Sequence, residues 1–192
     1  MRVIAGRWRG RRLSPAPGGV RPTADRVREA LFSMLADELA GAHVADLCCG
    51  SGALGIEALS RGAARADFVD VAPGSLRATR ENLEACGADP ATWRTHRADA
   101  ARWLARCWRR PEPPPVVLAD PPYGGAALAD LVALLHDGPP PGMLVLVLEH
   151  PADADALAAP PPGWTLITRR YGGSALTLLR PEGARDAEAR HG

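Results

Sequence analysis

From residue 44 onward, short apolar runs alternate with longer stretches in which apolar residues recur every third or fourth position. The short runs are typical of buried β-strands and the longer stretches of amphipathic helices. This alternation favours an α/β fold with a mostly parallel, doubly wound sheet. Gly172-Gly173 between the last two apolar runs predicts a hairpin, so the last strand is expected to be antiparallel. The seven predicted strands span residues 44–48, 66–70, 92–97, 116–119, 143–149, 164–170 and 175–179.

A first helix is predicted ahead of the sheet, with Thr23 as its N-cap and Gly41 after its end. Arg26, Arg28 and Glu29 lie off its apolar stripe, so the two arginines are expected to point outward or toward a ligand. The stripe itself has helical spacing and consists of Val27, Ala30, Leu31, Met34 and Leu35.

Charge divides the chain into three parts. The net charge of the 192 residues is +1, yet residues 1–30 hold eight arginines against two acids. We therefore predict a basic arm over 1–22, a globular domain over 23–180 and a disordered tail over 181–192. Within the arm, a small hairpin is predicted to turn between Gly6 and Gly10. The arm suits a polyanion, although a solvated basic face is the plainer alternative. Trp8, between two arginines, either stacks on a base or anchors the arm.

The remaining composition excludes several classes of protein. The four cysteines lack the spacing of a metal site, so we expect reduced, mostly buried thiols and no metal. The basic N-terminus has no apolar core of a signal peptide, and the aliphatic run 143–148 is too short to span a membrane. We expect a cytoplasmic, soluble monomer.

The segment Asp46 to Gly55 carries three glycines with G-x-G-x-x-G spacing between a predicted strand and a predicted helix. Glycine allows a positive φ and a close approach of a ligand to the backbone, and a helix N-terminus offers unpaired N–H groups. Alone, the pattern indicates either a site for a nucleotide-like ligand or a glycine turn without a ligand.

Acidic residues follow the ends of the predicted strands. In a parallel sheet these ends share one edge, so Asp46, Asp70, Asp99 and Asp120 are expected to converge there. Asp70 lies at the distance from the glycines where an acid binds a ribose. Asp99 is suited to an adenine amino group or to a helix N-cap. The predicted cofactor-binding residues are Asp46, Cys48, Gly50, Ser51, Gly52, Asp70, Val71, Asp99, Ala100 and Asp120.

The sharpest motif is Asp120-Pro121-Pro122-Tyr123. The prolines fix φ and remove two N–H donors, so the loop presents the Asp120 carboxylate and the Pro121 carbonyl as acceptors. Two rigid acceptors beside an aromatic ring suit a planar base with an exocyclic amine, on which Tyr123 stacks. We predict Asp120, Pro121 and Tyr123 as the catalytic residues.

These motifs resemble those of class I S-adenosylmethionine-dependent methyltransferases, and the likeness over residues 1 to about 180 is to the RsmD family. The segments that carry it are Arg2–Gly6, Arg9–Arg11, Arg21–Thr23, Arg26–Phe32, Gly52–Ala63, Asp120–Tyr123, Leu148–His150 and Tyr171–Gly172. The chain departs from the family pattern at Cys48-Cys49, at Asp70, where glutamate is frequent, and at Ala72–Gly74.

The resemblance implies a Rossmann-like class I methyltransferase fold with a small basic N-terminal extension. It also implies methyl transfer from S-adenosylmethionine to N2 of guanine 966 in 16S ribosomal RNA, in an assembled or assembling small subunit. The basic arm then holds RNA phosphates, and its loss is expected to spare cofactor binding. The predicted RNA-binding residues are Arg7, Trp8, Arg9, Arg11, Arg12, Arg21 and Arg26.

Three alternatives stay open. The same tetrapeptide serves adenine-N6 or cytosine-N4 methyltransferases of DNA or RNA. A nicotinamide-dependent oxidoreductase shares the glycine pattern but has no use for Asp120–Tyr123. A non-catalytic RNA-binding module would need the arm but neither Asp70 nor Asp120.

Overall fold

The computed structural model of the protein describes residues 1–17, 25–123, 125–154, 157 and 159–183. These residues form a β-sheet flanked by helices. The strands are β1 (His43–Leu47), β2 (Arg65–Asp70), β3 (Trp93–Arg97), β4 (Val116–Ala119), β5 (Val145–Pro151), β6 (Trp164–Tyr171) and β7 (Ser174–Pro181). The helices are α1 (Asp25–Met34), α2 (Ala36–Leu39), α3 (Ala53–Ser60), α4 (Pro73–Cys86), α5 (Ala100–Cys107) and α6 (Ala126–Leu135), with a 3-10 turn at Pro90–Thr92. Every predicted strand is therefore confirmed, with shifts of one or two residues at most ends.

The strands form a seven-stranded sheet in the order β3-β2-β1-β4-β5-β7-β6. Neighbours from β3 to β5 are parallel, whereas β7 is antiparallel to both β5 and β6. The last hairpin thus folds back so that β7 lies inside and β6 forms the edge. The burial pattern explains this choice, because the inner residues of β7 are buried on both faces while β6 alternates with exposed positions.

The order in which strands are added to the sheet reverses between β1 and β4. The connections leave β1 toward β2 and β3 on one side and reach β4 and β5 on the other. The gap above β1 and β4 is therefore a topological switch point, where open parallel sheets bind ligands at the strand carboxyl ends. The predicted motifs at Asp46–Gly55 and Asp120–Tyr123 follow these two strands directly.

Two of the largest boundary shifts are at the start of β5 and the end of β7. Strand β5 begins at Val145 rather than Met143, since the N–H groups of Leu144 and Val145 both donate to the Pro115 carbonyl at the start of β4. Strand β7 continues through Pro181, which the prediction assigned to the tail, and residues 184–192 of that predicted tail lie outside the described part.

The first helix corrects the expectation for Arg28. Its guanidinium is buried, and Nη2 donates to the Arg2 carbonyl at 2.7 Å and to Asp25 Oδ1 at 2.8 Å. Arg28 and Phe32 are both fully covered because the arm lies against this face of α1, a layer that helical periodicity alone does not reveal. Arg26 is exposed as predicted, the helix ends at Met34 before the short α2, and the predicted cap Thr23 lies outside the described residues.

The N-terminal arm is part of the globular body and not a separate unit. An antiparallel bridge joins Arg2 and Arg12, and Gly6 and Gly10 between them both have positive φ, which agrees with the predicted hairpin. Its apolar side chains, Val3, Trp8 and Leu13, are buried in the core shared with α1 and α3. Of the two roles considered for Trp8, the structure shows the anchor: its ring is 8% exposed, with the Arg7 guanidinium 4.2 Å from the ring centroid.

A His–Asp–His cluster joins three neighbouring strands on the side of the sheet that packs on α5. Asp67 on β2 accepts hydrogen bonds from His43 on β1 and His96 on β3, both at 2.7 Å. Burial alone raises the pKa of Asp67, but the two histidines outweigh it and hold this pKa well below the ordinary value of 3.8. A lowered pKa contributes stability above the ordinary value, and that stability is lost as the pH falls through the folded-state pKa.

We expect Asp67→Asn to lower the free energy of unfolding by about 1–2 kcal/mol at neutral pH, because the charge-assisted bonds are lost. The difference from wild type should shrink as the pH falls below about 4, where the wild-type carboxylate begins to lose its advantage. Urea denaturation across this pH range measures the effect. Asp130→Asn, on the exposed face of α6, is the matched control. The prediction would be contradicted if the free energy of unfolding, relative to wild type, depended on pH in the same way in both variants.

Candidate functional site

A cavity of about 390 Å³ opens at the switch point, between the carboxyl ends of the strands and the arm. This volume lies in the range of small-molecule sites. Nine of the ten predicted cofactor-binding residues line it: Asp46, Cys48, Gly50, Ser51, Asp70, Val71, Asp99, Ala100 and Asp120. The tenth, Gly52, is not among the described lining residues.

The glycines divide two tasks between them. Gly50 has φ of 54° and a Cβ there would meet nothing within 4 Å, so its backbone stands open to a ligand. Gly52 and Gly55 instead allow close packing, since a Cβ would lie 2.8 Å from Thr79 at Gly52 and 2.4 Å from Phe68 at Gly55. The predicted close approach to a ligand therefore applies to Gly50, while the other two glycines let α3 contact α4 and the sheet.

Asp70 closes the glycine turn from the end of β2. Its Oδ2 accepts from the Gly50 N–H at 3.0 Å and its Oδ1 from the Ala72 N–H at 2.8 Å. Each carboxylate oxygen has a second lone pair, so the group can still accept a bond from a hydroxyl in the cavity. This position suits the ribose role that the sequence predicted.

The four strand-end acids converge as expected, since all of them line the cavity and their charges all act on the Cys48 thiol. Burial raises the pKa of Cys48 to about 12, with further contributions from the charges of Asp70, Asp120, Asp46 and Asp99. Cys48 therefore stays a neutral thiol, and its φ of 55° makes it the non-glycine residue in the left-handed region among those described. Such strain is frequent at ligand sites.

Backbone N–H groups donate hydrogen bonds to three of these acids. Asp46 accepts from Gly55 at 2.8 Å, Asp70 from the two amides above, and Asp99 from Arg102 at 2.9 Å as the N-cap of α5. Burial raises the pKa of Asp46 well above its ordinary value, and Asp120 and Asp70 raise it further against the opposing bond from Gly55. Both roles considered for Asp99 are thus compatible, because it caps α5 and also lines the cavity.

The Asp120–Tyr123 loop sits where β4 leaves the sheet. Asp120 and Pro122 line the cavity, whereas Pro121 is buried and Tyr123 is not among the described lining residues. Tyr123 is 52% exposed, with its hydroxyl 2.8 Å from Ser174 Oγ on β7. The loop therefore lines the cavity through Asp120 and Pro122 and ends in an exposed aromatic residue that Ser174 orients.

The arm supplies a wall of the cavity that the sequence did not reveal. Met1, Pro15, Ala16 and Pro17 line it opposite the strand ends. Deletion of residues 1–19 would remove both this wall and part of the core, so the structure argues against the expectation that loss of the arm spares cofactor binding.

Polar residues on α3 and α4 hold the arm in place, and sequence reasoning missed them. Glu57 accepts from the N–H groups of Ile4 and Ala5, and Ser60 Oγ donates to the Ala5 carbonyl and accepts from the Trp8 N–H. Asn82 bonds both backbone groups of Ser14 and also the Ser51 carbonyl, so it joins the arm to the glycine turn. The sequence carried one signal for these contacts. Polar residues stand at positions of α3 and α4 that the packing of helices on the sheet would bury.

The predicted RNA-binding arginines occupy the outer side of the arm. Arg7, Arg9, Arg11 and Arg12 are exposed, as is Arg26 on α1, and Arg21 lies outside the described residues. Among the residues described, no helix is both long and apolar enough to cross a membrane. The described His, Cys, Asp and Glu side chains form no group of three that could hold a metal ion.

Comparison with known proteins agrees with this architecture over nearly the whole chain. Ribosomal RNA small subunit methyltransferase D of Escherichia coli (strain K12) is 34% identical over 191 residues, which cover 98% of this chain and 94% of that protein. The protein of the same name from Haemophilus influenzae is 30% identical over 176 residues, 90% and 89% of the two chains. The solved structure of yhhF from Escherichia coli superposes with a TM-score of 0.77 at 33% identity, covering 95% of this chain and 98% of that one.

The fold is that of the class I methyltransferases. Its five strands from β3 to β5 are parallel, and the antiparallel β7 lies next to β5. A family model with the description "Conserved hypothetical protein 95" matches residues 1–180, the whole of the arm and the sheet. By this match and by its identity to methyltransferase D, the chain belongs to the RsmD family.

Proposed function

We propose that this protein transfers a methyl group from S-adenosylmethionine to the exocyclic N2 of guanine 966 in 16S ribosomal RNA, in an assembled or assembling small subunit in the cytoplasm. The observation that carries the proposal is the position of Asp120. It lines a nucleoside-sized cavity, three residues before the exposed Tyr123. An acceptor at that position can hold an amine against a donor bound inside the cavity.

The residues of the cavity suit S-adenosylmethionine. Asp70 offers acceptor capacity for ribose hydroxyls, Asp99 lies where an adenine amino group can be bound, and Gly50 leaves its backbone accessible. When bound, the sulfonium supplies an activated methyl group, so the protein has mainly to position the amine. The acid-rich lining also favours a ligand that carries positive charge.

The Asp120 loop would orient the guanine amine for attack. The guanine N2 is a weak nucleophile because its lone pair is delocalised into the ring. The Asp120 carboxylate and the Pro121 carbonyl would accept the two N–H bonds and stabilise the positive charge that develops on nitrogen. Tyr123, oriented by Ser174, would stack on a base that has left its helix.

Methylation with labelled S-adenosylmethionine tests the proposal directly. We expect transfer to small subunits or to their RNA, with the product mapped to N2 of one guanine, and none to DNA. Methylation at adenine N6 or cytosine N4 would favour the first alternative. Calorimetry separates the others, because an oxidoreductase would bind NAD and an RNA-binding module neither cofactor.

The exposed arm arginines should set RNA affinity without affecting the cofactor. We expect Arg9→Gln with Arg12→Gln to weaken RNA binding and to reduce the slope of log affinity against log salt by about 1.4–1.8, roughly 0.7–0.9 for each lost phosphate contact. Filter binding at several salt concentrations measures this. Arg106→Gln with Arg109→Gln, exposed near the far end of α5, is the matched control, and equal slopes in both pairs would exclude the arm as the RNA contact.

A further inference from the structure

A second carboxylate, Glu149, stands beside Asp120. Strands β4 and β5 pair in parallel with Leu118 opposite Val147 and Ala119 opposite Leu148. One step further along the same register, Asp120 lies next to Glu149. Neighbouring strands are about 4.8 Å apart, so the two backbones are adjacent at the carboxyl edge of the sheet.

Both side chains leave the same face. Leu118 and Val147 belong to one core layer, and Ala119 and Leu148 to the other. Because side chains alternate along a strand, Asp120 and Glu149 return to the first layer. Glu149 is 7% exposed and is not among the described residues that line the cofactor cavity.

The Tyr123 ring places this pair in the path of a base. Its hydroxyl bonds Ser174, which pairs with Pro151 two residues beyond Glu149 on β5. Burial raises the pKa of Tyr123, the Ser174 bond lowers it, and the charges of Glu149 and then Asp120 raise it again. Through Ser174 and its pairing with Pro151, the Tyr123 hydroxyl is thus held two residues beyond Glu149 along β5.

We infer that Glu149 determines specificity for guanine by accepting the N1–H next to the amine that Asp120 holds. Guanine alone among the standard bases presents a ring N–H beside its exocyclic amine. Adenine and cytosine present a ring nitrogen acceptor at that position, which a carboxylate would repel. The inference rests on the proposed function, and it states why the same tetrapeptide would act here on guanine rather than on adenine or cytosine.

A base analogue and a near-isosteric variant test this together. In 2-aminopurine the exocyclic N2 amine is kept, but N1 is an acceptor. Small subunits reconstituted with 2-aminopurine at the target position should be methylated by wild-type protein at a rate about tenfold or more below that of guanine subunits, because a site built for an N–H donor rejects its absence. The amide of Glu149→Gln can donate to N1, so this variant should lower the guanine to 2-aminopurine rate ratio by about tenfold or more.

Two further variants control for folding and charge. Glu149→Asp keeps the acceptor and should keep the guanine preference, even if it is slower, and Glu81→Gln on the exposed face of α4 should behave as wild type. Unchanged affinity for S-adenosylmethionine in calorimetry shows that the cavity is intact. An unchanged rate ratio in an active Glu149→Gln protein overturns the inference alone. Wild-type protein that fails to methylate guanine overturns the proposed function and this inference with it.

Discussion

Replacing Asp120 with alanine is expected to lower the rate of methyl transfer by on the order of 100-fold or more, with affinity for S-adenosylmethionine largely kept. Asp120 lines the cavity, where its side chain would bind the amine in the transition state. Loss of an oriented acceptor at the reacting atom costs this much in comparable sites. Single-turnover methylation of small subunits measures the rate, and calorimetry measures the cofactor affinity.

Asp120→Asn separates positioning from proton acceptance. The amide keeps one acceptor oxygen at the same place but cannot take a proton, so a rate within about tenfold of wild type would assign the residue to positioning. A rate as low as that of the alanine variant would assign it to charge stabilisation or proton acceptance. Turnover near the wild-type level in the alanine variant would remove Asp120 from the mechanism.

Glu57→Ala should cost about 3–5 kcal/mol of unfolding free energy, the loss seen when one partner of a buried ion pair is removed. The Glu57 carboxylate is fully buried and accepts from Ile4 at 2.7 Å, Ala5 at 2.9 Å and Arg61 at 2.8 Å. Removal leaves two arm N–H groups and a guanidinium without that acceptor. For a domain of this size the melting temperature should fall by roughly 10 °C.

The same substitution should weaken cofactor binding although Glu57 is not a described cavity residue. The arm that it holds carries Met1 and Pro15–Pro17 into the cavity wall. Thermal melts and calorimetry with S-adenosylmethionine report both effects. Glu84→Ala, on the exposed side of α4, should stay within about 0.5 kcal/mol of wild type. A Glu57→Ala protein with normal stability would contradict the assigned role of these bonds.

The strand and helix pattern, the edge at which the acids meet and most residues of the cavity lining followed from the sequence alone. Apolar runs and glycine spacing are local properties, and parallel strand order brings the strand ends to one edge whatever the packing details. Nine of ten predicted cradle residues consequently line the cavity. The tetrapeptide Asp120–Tyr123 carried its own chemistry, since two prolines restrict the backbone wherever they occur.

Only the tertiary structure decided how the arm is used. The sequence left the role of Trp8 open between a base contact and an anchor, and it did not indicate that Val3 and Leu13 join Trp8 in the core, or that Arg28 turns inward to meet the arm. Nor did the sequence indicate that Glu57 and Asn82 face backbone groups more than 50 residues away. Such contacts depend on which surfaces meet when the layers pack, and the free energy of burying a polar group is set by that partner rather than by its neighbours in the chain.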